Sequence, residues 1–384
     1  MKRTFKNVLC LLAVGAIAVS CEKNGGNDSA TTIEELKAVV FEEEAPVEIS
    51  SKKTGNIATN PTTGKNQYEY LTTVQKQYLV APLSIVSETM TDVIYPGSML
   101  RGDSFVQGNY DPLVLRNEYN PVNLSLTLRG DISVSESVKP ALSQVRSTMN
   151  DLIARQKEKV DYSFVPSVFN YESNEITTTE SFKRSFKIHA KAKVLSGLVK
   201  AKFSFEENQS SSNQKRYVMV SFRQFLYNAS VDPQHYSSWI QGDIDVSDMG
   251  GYEPLYISSV DYGRVGYILV ETEKSTEEMS KMIKASLEVA VQYANVESST
   301  KLSKEFQKMF EQNKVQVMIS GGPLELGNQV NSYESFVKFV QMPTAENLTK
   351  TSVPIAYKVR RVKDNTEVQV LDTFTENIFQ LKDN

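Results

Sequence analysis

Between Phe186 and Phe205 the chain is written with a period of two. Phe186, Ile188, Ala190, Ala192 and Val194 occupy alternate positions, with Lys187, His189, Lys191 and Lys193 between them. The phase slips at Leu195-Ser196-Gly197-Leu198, after which Val199, Ala201, Phe203 and Phe205 alternate with Lys200, Lys202 and Ser204. Successive side chains of a strand point to opposite faces, so this text predicts a two-stranded ribbon, apolar on one side and cationic on the other. Seven basic residues and no acidic one lie between Lys183 and Lys202. The first run approaches the ~9–11 residues of a tilted membrane-spanning strand. A half-buried hairpin of a water-soluble sheet alternates in the same way, so the pattern alone leaves both open.

Residues 275–298 carry a second ambiguity. At helical spacing, Met279, Met282, Ile283, Leu287, Ala290 and Ala294 form a stripe, with Ser275 or Thr276 as N-cap and acids in the first turn. At a period of two, Ile283, Ala285, Leu287, Val289, Val291 and Tyr293 alternate with Lys284, Ser286, Glu288, Ala290 and Gln292. A plain core helix fits the first template. A segment that is helical in one state and extended in another fits both.

Around these segments the text reads as strands and helices in no βαβ order. Strands are expected at residues 68–80, 122–128, 217–231, 255–272, 315–319, 353–362 and 367–371, and Tyr95-Pro96-Gly97 marks a turn. Helices are expected from Val138 through Leu152, around Leu302–Phe310 and around Tyr333–Val340, whereas residues 51–68 read as a loop. The class is therefore α+β with a largely antiparallel sheet.

Composition narrows the chemistry. The chain has 384 residues, enough for one large core or two smaller ones, and its net charge of −4 argues against nucleic acid as the main partner. Two histidines, His189 and His235, and two cysteines, Cys10 and Cys21, leave the body without the makings of a His-based zinc site, a Ser-His-Asp triad or a Cys-ligated metal. None of G-x-S-x-G, Walker A, G-x-G-x-x-G or H-E-x-x-H occurs. No enzyme, cofactor or metal site is expected. At the N-terminus, Lys2, Arg3 and Lys6 precede an apolar run, Val8 to Val19, and then Ser20-Cys21. That order predicts a lipoprotein signal peptide over residues 1–20, lipidation of Cys21 and an exported, lipid-anchored protein at the outer membrane or cell surface, with Glu22–Thr32 as a tether.

With these segments in place, the chain resembles the thiol-activated, or cholesterol-dependent, cytolysins, and most the short cytolysin-like lipoproteins of Gram-negative bacteria. The resemblance rests on Ile94-Tyr95-Pro96-Gly97-Ser98, on residues 215–232 and 252–273 with Tyr262-Gly263-Arg264 at the centre, on Ile319-Ser320-Gly321-Gly322, and on Val353-Pro354-Ile355-Ala356-Tyr357 followed by Lys363-Asp364-Asn365, in family order. It implies an elongated cytolysin/perforin-like α+β fold: a central twisted antiparallel sheet flanked by two helical segments, 181–210 and 275–307, that can become β-hairpins. It further implies a subunit that oligomerises at membrane lipid and inserts both hairpins into a large barrel. Gly321 and Gly322 would match a pair at which the sheet flexes.

Boundaries follow from the residues and the resemblance together. A tether and N-terminal lead-in are expected over 21–65, a sheet and helix scaffold over 66–165, a pore-forming core over 166–350 and closing strands over 351–384. The family's C-terminal β-sandwich, with its Trp-rich, Cys-containing loop, is not matched by any text here. Cholesterol binding by this chain is therefore not carried over, and a homo-oligomer or a hetero-oligomer with a longer partner is expected. The alternative is a non-lytic surface lipoprotein that uses the same fold for binding or assembly.

Overall fold

The computed structural model describes residues 32–80, 83–84, 90, 92–128, 132–156, 159, 169–187, 203, 216–243, 245–290, 297–322, 330–340 and 352–383. The elements are β1 (Val47–Thr59), β2 (Asn66–Val80), β3 (Leu83–Ser84), β4 (Met99–Leu100), α1 (Gly102–Val106), β5 (Val122–Leu128), β6 (Ile132–Val138), α2 (Leu142–Gln156), β7 (Phe169–Ile176), α3 (Thr179–Arg184) and β8 (Arg216–Val231). They continue with β9 (Leu255–Thr272), α4 (Thr276–Ala290), α5 (Glu297–Glu311), β10 (Val315–Ser320), α6 (Tyr333–Val340), β11 (Val353–Arg361) and β12 (Val370–Asp383).

The β8 and β9 sequences carry apolar residues at consecutive positions, as strands covered on both faces require. They pair antiparallel from Arg216↔Thr272 to Ser230↔Ser259 and form the spine of a mixed-length antiparallel sheet. On one side of this spine β7 and then β5 with β6 continue the sheet along β8; on the other, β10 and β11 share the far edge of β9. A separate sheet of β2 between β1 and β12 lies alongside. The expected α+β class with antiparallel sheets is what the chain adopts.

Pairing register divides the buried side chains between two faces. Val218, Val220 and Phe222 of β8, Ile268 and Val270 of β9 and Ile319 of β10 pack with α4, α5 and α6. Met219, Val265, Tyr267, Leu269 and Met318 belong to the larger core on the opposite face, with Phe182, Phe186 and Phe203. Two glycines allow this close packing. A Cβ on Gly263 would lie 2.0 Å from the Gln224 carbonyl, and one on Gly266 would lie 2.3 Å from the Phe222 ring. That ring is fully buried and meets Phe336 and Phe339 edge-on at centroid distances of 6.0 and 5.9 Å.

Three expectations are corrected, the first being the closing strand, expected at 367–371 and found as β12 over Val370–Asp383. Residues 51–59 are not loop but the greater part of β1, which reaches its turn only after Thr59. The strand is exposed almost throughout, so it has no apolar alternation to read, and its register with β2 holds it. Val138 closes β6 rather than opening a helix; α2 starts at Leu142, after Pro140, and buries Val145, Met149, Leu152 and Ile153.

Gly266→Ala is expected to destabilise the protein by about 1–3 kcal/mol through overpacking against Phe222. Adding Phe222→Leu should recover part of that loss. Urea-unfolding midpoints of the single and double variants check the pair.

Candidate functional site

The described residues of the two segments singled out by periodicity (181–187 and 203 of the first, 275–290 and 297–307 of the second) pack on opposite faces of the sheet. Segment 1 follows β7 and begins with α3. Its N-cap is reciprocal: Thr178 Oγ1 accepts from Ser181 N at 3.0 Å, and Ser181 Oγ accepts from Thr178 N at 3.0 Å. The Thr178 hydroxyl also donates to the Thr375 carbonyl of β12 at 2.8 Å, tying the helix start to the three-stranded sheet. Arg184 stacks over Phe374 at 4.3 Å. Phe182, Phe186 and Phe203 pack as a buried triad, and the Phe186 ring lies 4.6 Å from that of Tyr267 on β9. The start of segment 1 is thus wedged between the two sheets. It leaves α3 through Lys187, whose φ of 52° is left-handed and whose ammonium meets Glu172 of β7 at 2.7 Å.

Segment 2 follows β9. Of the two candidate caps, Ser275 serves: its hydroxyl accepts from Glu278 N at 3.2 Å, while Glu278 Oε2 accepts from Ser275 N at 2.9 Å. Donation to that carboxylate from the Ser275 N–H and, at 3.0 Å, from the Ser275 hydroxyl holds the Glu278 carboxyl below its usual range. In α4, Met279, Met282, Ile283 and Leu287 are buried against Val218, Val220, Ile268 and Val270. In α5, Phe306 and Phe310 meet Phe336 of α6 at centroid distances of 5.7 and 6.0 Å.

Of the expected inserting residues, Phe186, Phe203, Ile283, Ala285 and Leu287 are buried and Val289 is half-buried. Ile188, Ala190, Ala192, Val194, Val199, Ala201, Phe205, Val291 and Tyr293 lie outside the described residues, as do Cys21 and the whole of 1–20.

The motif residues are at the joints of the sheet. Tyr95-Pro96-Gly97 forms a type II turn: Ser98 N donates to Tyr95 O at 3.0 Å, and Gly97, at φ 84°, donates its N–H to Ile257 O at 2.8 Å. Tyr262 stacks on Tyr227 at 4.9 Å, and burial pushes its phenol far above the usual range. Gly263 gives way to the Gln224 carbonyl. Buried Arg264 donates from Nη1 to Phe339 O at 2.9 Å, placing a cation at the C-terminal end of α6. Gly321 and Gly322 end β10 at φ 77° and 100°, and a Cβ on Gly322 would sit 2.6 Å from the Phe339 ring.

Sequence reasoning did not single out the Thr178 tie to β12 or the Lys187–Glu172 pair. The first left a trace in the Thr-x-x-Ser spacing of a cap; the second had none, because β7 and α3 meet only in three dimensions. Among the described residues no group of His, Cys, Asp or Glu is gathered that could hold a metal. No described helix is long and apolar enough to cross a membrane, which leaves crossing by strands untouched.

Comparison with known proteins decides the family. The sequence profile described as thiol-activated cytolysin matches residues 35–378. The chain belongs to the thiol-activated cytolysin family. Perfringolysin O of Clostridium perfringens is 22% identical over 328 residues, covering 81% of this chain and 62% of its own length. Pneumolysin of Streptococcus pneumoniae is 27% identical over 311 residues, covering 76% and 62%. The chain thus spans less than two thirds of either relative. The crystal structure of the human-specific toxin intermedilysin superposes with a TM-score of 0.60 at 20% identity, over 92% of this chain and 73% of that one, and shares its fold. The family is one of cytolysins, not of enzymes.

Thr178→Val should loosen the start of segment 1 by about 1–2 kcal/mol, through loss of the cap and of the bond to Thr375. Hydrogen exchange at residues 179–186 is expected to quicken roughly 5–30-fold while β8 and β9 amides keep their protection.

Proposed function

We propose that this cytolysin is a pore-forming subunit that assembles at a membrane and opens segments 181–210 and 275–307 into two amphipathic β-hairpins of a large barrel. The observation that carries the reading is the continuity of register. Each segment joins two strands that are already antiparallel neighbours, β7 to β8 and β9 to β10, so opening it lengthens an existing ladder without crossing the chain.

Carried one-to-one past Ile176↔Tyr217, the first ladder would set Ile188 opposite Phe205, Ala190 opposite Phe203, Ala192 opposite Ala201 and Val194 opposite Val199, turning at Ser196-Gly197. Carried past Val270↔Val315, the second would set Ile283 opposite Leu302 and Val289 opposite Val296, turning at Gln292-Tyr293. Tyr293 then belongs to a tip rather than to the apolar face. The β8–β9 register, extended beyond Arg216↔Thr272, would bring Val199 beside Val289 and Ala201 beside Leu287, with the two tips level. In all four extended strands the apolar set falls on one face, the one that carries Met219, Tyr267, Leu269 and Met318 in the folded sheet; towards the sheet end of the second hairpin Lys281, Lys304 and Lys308 share that face. Lys191, Lys193, Lys200 and Lys202 fall on the other, with Lys284, Glu288, Glu297 and Lys301.

One sequence can serve both forms because a step of four suits both periods. Met279, Ile283 and Leu287, and Leu302, Phe306 and Phe310, stand four apart, which is near one helical turn and also an even number of strand residues. Each arm of about twenty residues would reach about 65 Å, more than the ~30 Å hydrocarbon core. An isolated hairpin leaves strand edges unpaired in lipid, so insertion requires a closed ring. The ring would consist of copies of this chain, or of this chain with a longer cytolysin-like partner. Lipidation at Cys21 would hold the exported protein at a surface, and Gly321-Gly322 would let the edge of the sheet open.

Cysteines replacing Ala192 and Ala201 should form a disulfide on liposomes under assembling conditions, whereas the out-of-register pair Ala192→Cys with Lys202→Cys should not. Equal crosslinking would count against the register. Ile188→Asp and Val199→Asp are expected to abolish dye release while leaving the unfolding midpoint of the monomer unchanged. Undiminished release would remove these residues from the lipid face, and no release by the native chain with its genomic partners would favour the non-lytic lipoprotein.

A further inference from the structure

Residues 32–41 form a strap clamped to one end of the sheet. Ile33, Leu36 and Val39 are buried. Lys37 N donates to Gly251 O at 3.0 Å, Glu253 N donates to Lys37 O at 2.9 Å, and Val39 N donates to Glu253 Oε1 at 3.0 Å. Glu253 is itself fully buried, with Arg361 Nε at 3.7 Å. Lys363 Nζ donates to Glu34 O at 2.6 Å, closing the strap from its other side. Packing beneath it is tight enough that a Cβ on Gly102 would lie 2.8 Å from Val39 and 2.3 Å from the Glu253 carbonyl.

This clamp lies just before β9 begins. Both segments leave the sheet where β9 ends, at Ile176, Arg216, Thr272 and Val315. The run from Glu253 to Thr272 measures about 60 Å at ~3.3 Å per residue. Residues 22–31, fully drawn out, reach at most ~35 Å. We propose that the strap sets the polarity of an anchored chain. Held to a bilayer through its N-terminus, the molecule offers its inserting end to a facing lipid bilayer. With the sheet upright, it reaches the bilayer that carries it only when the strap detaches and adds ~35 Å of chain. This deepens the pore-forming reading and rests on it, together with attachment at Cys21.

The test replaces residues 1–21 by a histidine tag and holds the chain on vesicles containing nickel-chelating lipid and one dye. A second set of vesicles, without the chelator, carries another dye. Lys37 and Tyr252, which form a bridge between strap and sheet, are both replaced by cysteine to make a reducible lock. The oxidised lock should leave release from the facing vesicles unchanged and slow release from the carrier vesicles at least tenfold, with reduction restoring it. Equal carrier release in both redox states overturns the proposal. Should neither set leak even with the genomic partners added, the pore-forming reading falls and energy transfer to a membrane dye decides polarity. Transfer should be stronger from a label at Thr366→Cys, near the strap, than from one at Lys314→Cys, near the inserting end, and equal or reversed transfer overturns the proposal.

Discussion

Everything in this molecule hangs on the ladder between β8 and β9. Both strands are covered on both faces, so their hydrogen bonds are made away from water, where an unmade bond would cost the desolvation of its groups. The ladder also fixes which strands can neighbour which. β7 must lie against β8 and β10 against β9, and so the connection after β7 and the connection after β9 start and finish at the same end of the sheet. The glycines at 263 and 266 keep this spine thin enough for a carbonyl and a phenyl ring to close over it.

The two segments are stored differently, and the difference is physical. Segment 2 is a pair of helices whose aromatic residues bury against α6 and the sheet, a self-contained hydrophobic contact. Segment 1 begins with a short helix, too brief to persist alone, and is held by what lies on either side of it: Tyr267 behind and Thr375, Phe374 and Glu376 in front. Any movement of β12 away from the core therefore weakens segment 1 directly and segment 2 hardly at all. The ion pairs around α3 are partly exposed and of modest worth, whereas the phenyl triad is buried.

Strands with one or both faces buried were the easiest part of the fold to read. β5, β8 and β9 match their expected limits to within a residue, because burial leaves continuous or alternating apolar text. β1 was illegible: Val47–Thr59 is polar and exposed on both faces, and only its bonds to β2 make it a strand. The strap was equally hidden, since Ile33, Leu36 and Val39 look like scattered apolar residues until Glu253 and Gly102 are brought beneath them. The motif around Arg264 could be matched as text, but its contact with the α6 carbonyl depends on a helix 75 residues away.

By itself the sequence determined two local periodicities and their compatibility: alternation at 186–205, and a spacing of four at 279–287 and 302–310 that suits helix and strand alike. These are properties of side-chain direction along a single chain, and no neighbour is needed to establish them. Tertiary structure alone decided which faces of the sheet the described residues of the two segments pack on, which registers the segments would inherit on opening and how far the N-terminal clamp lies from them. Those are relations between strands distant in sequence, and they exist only once long-range hydrogen bonding has chosen one pairing among the many that the local patterns permit.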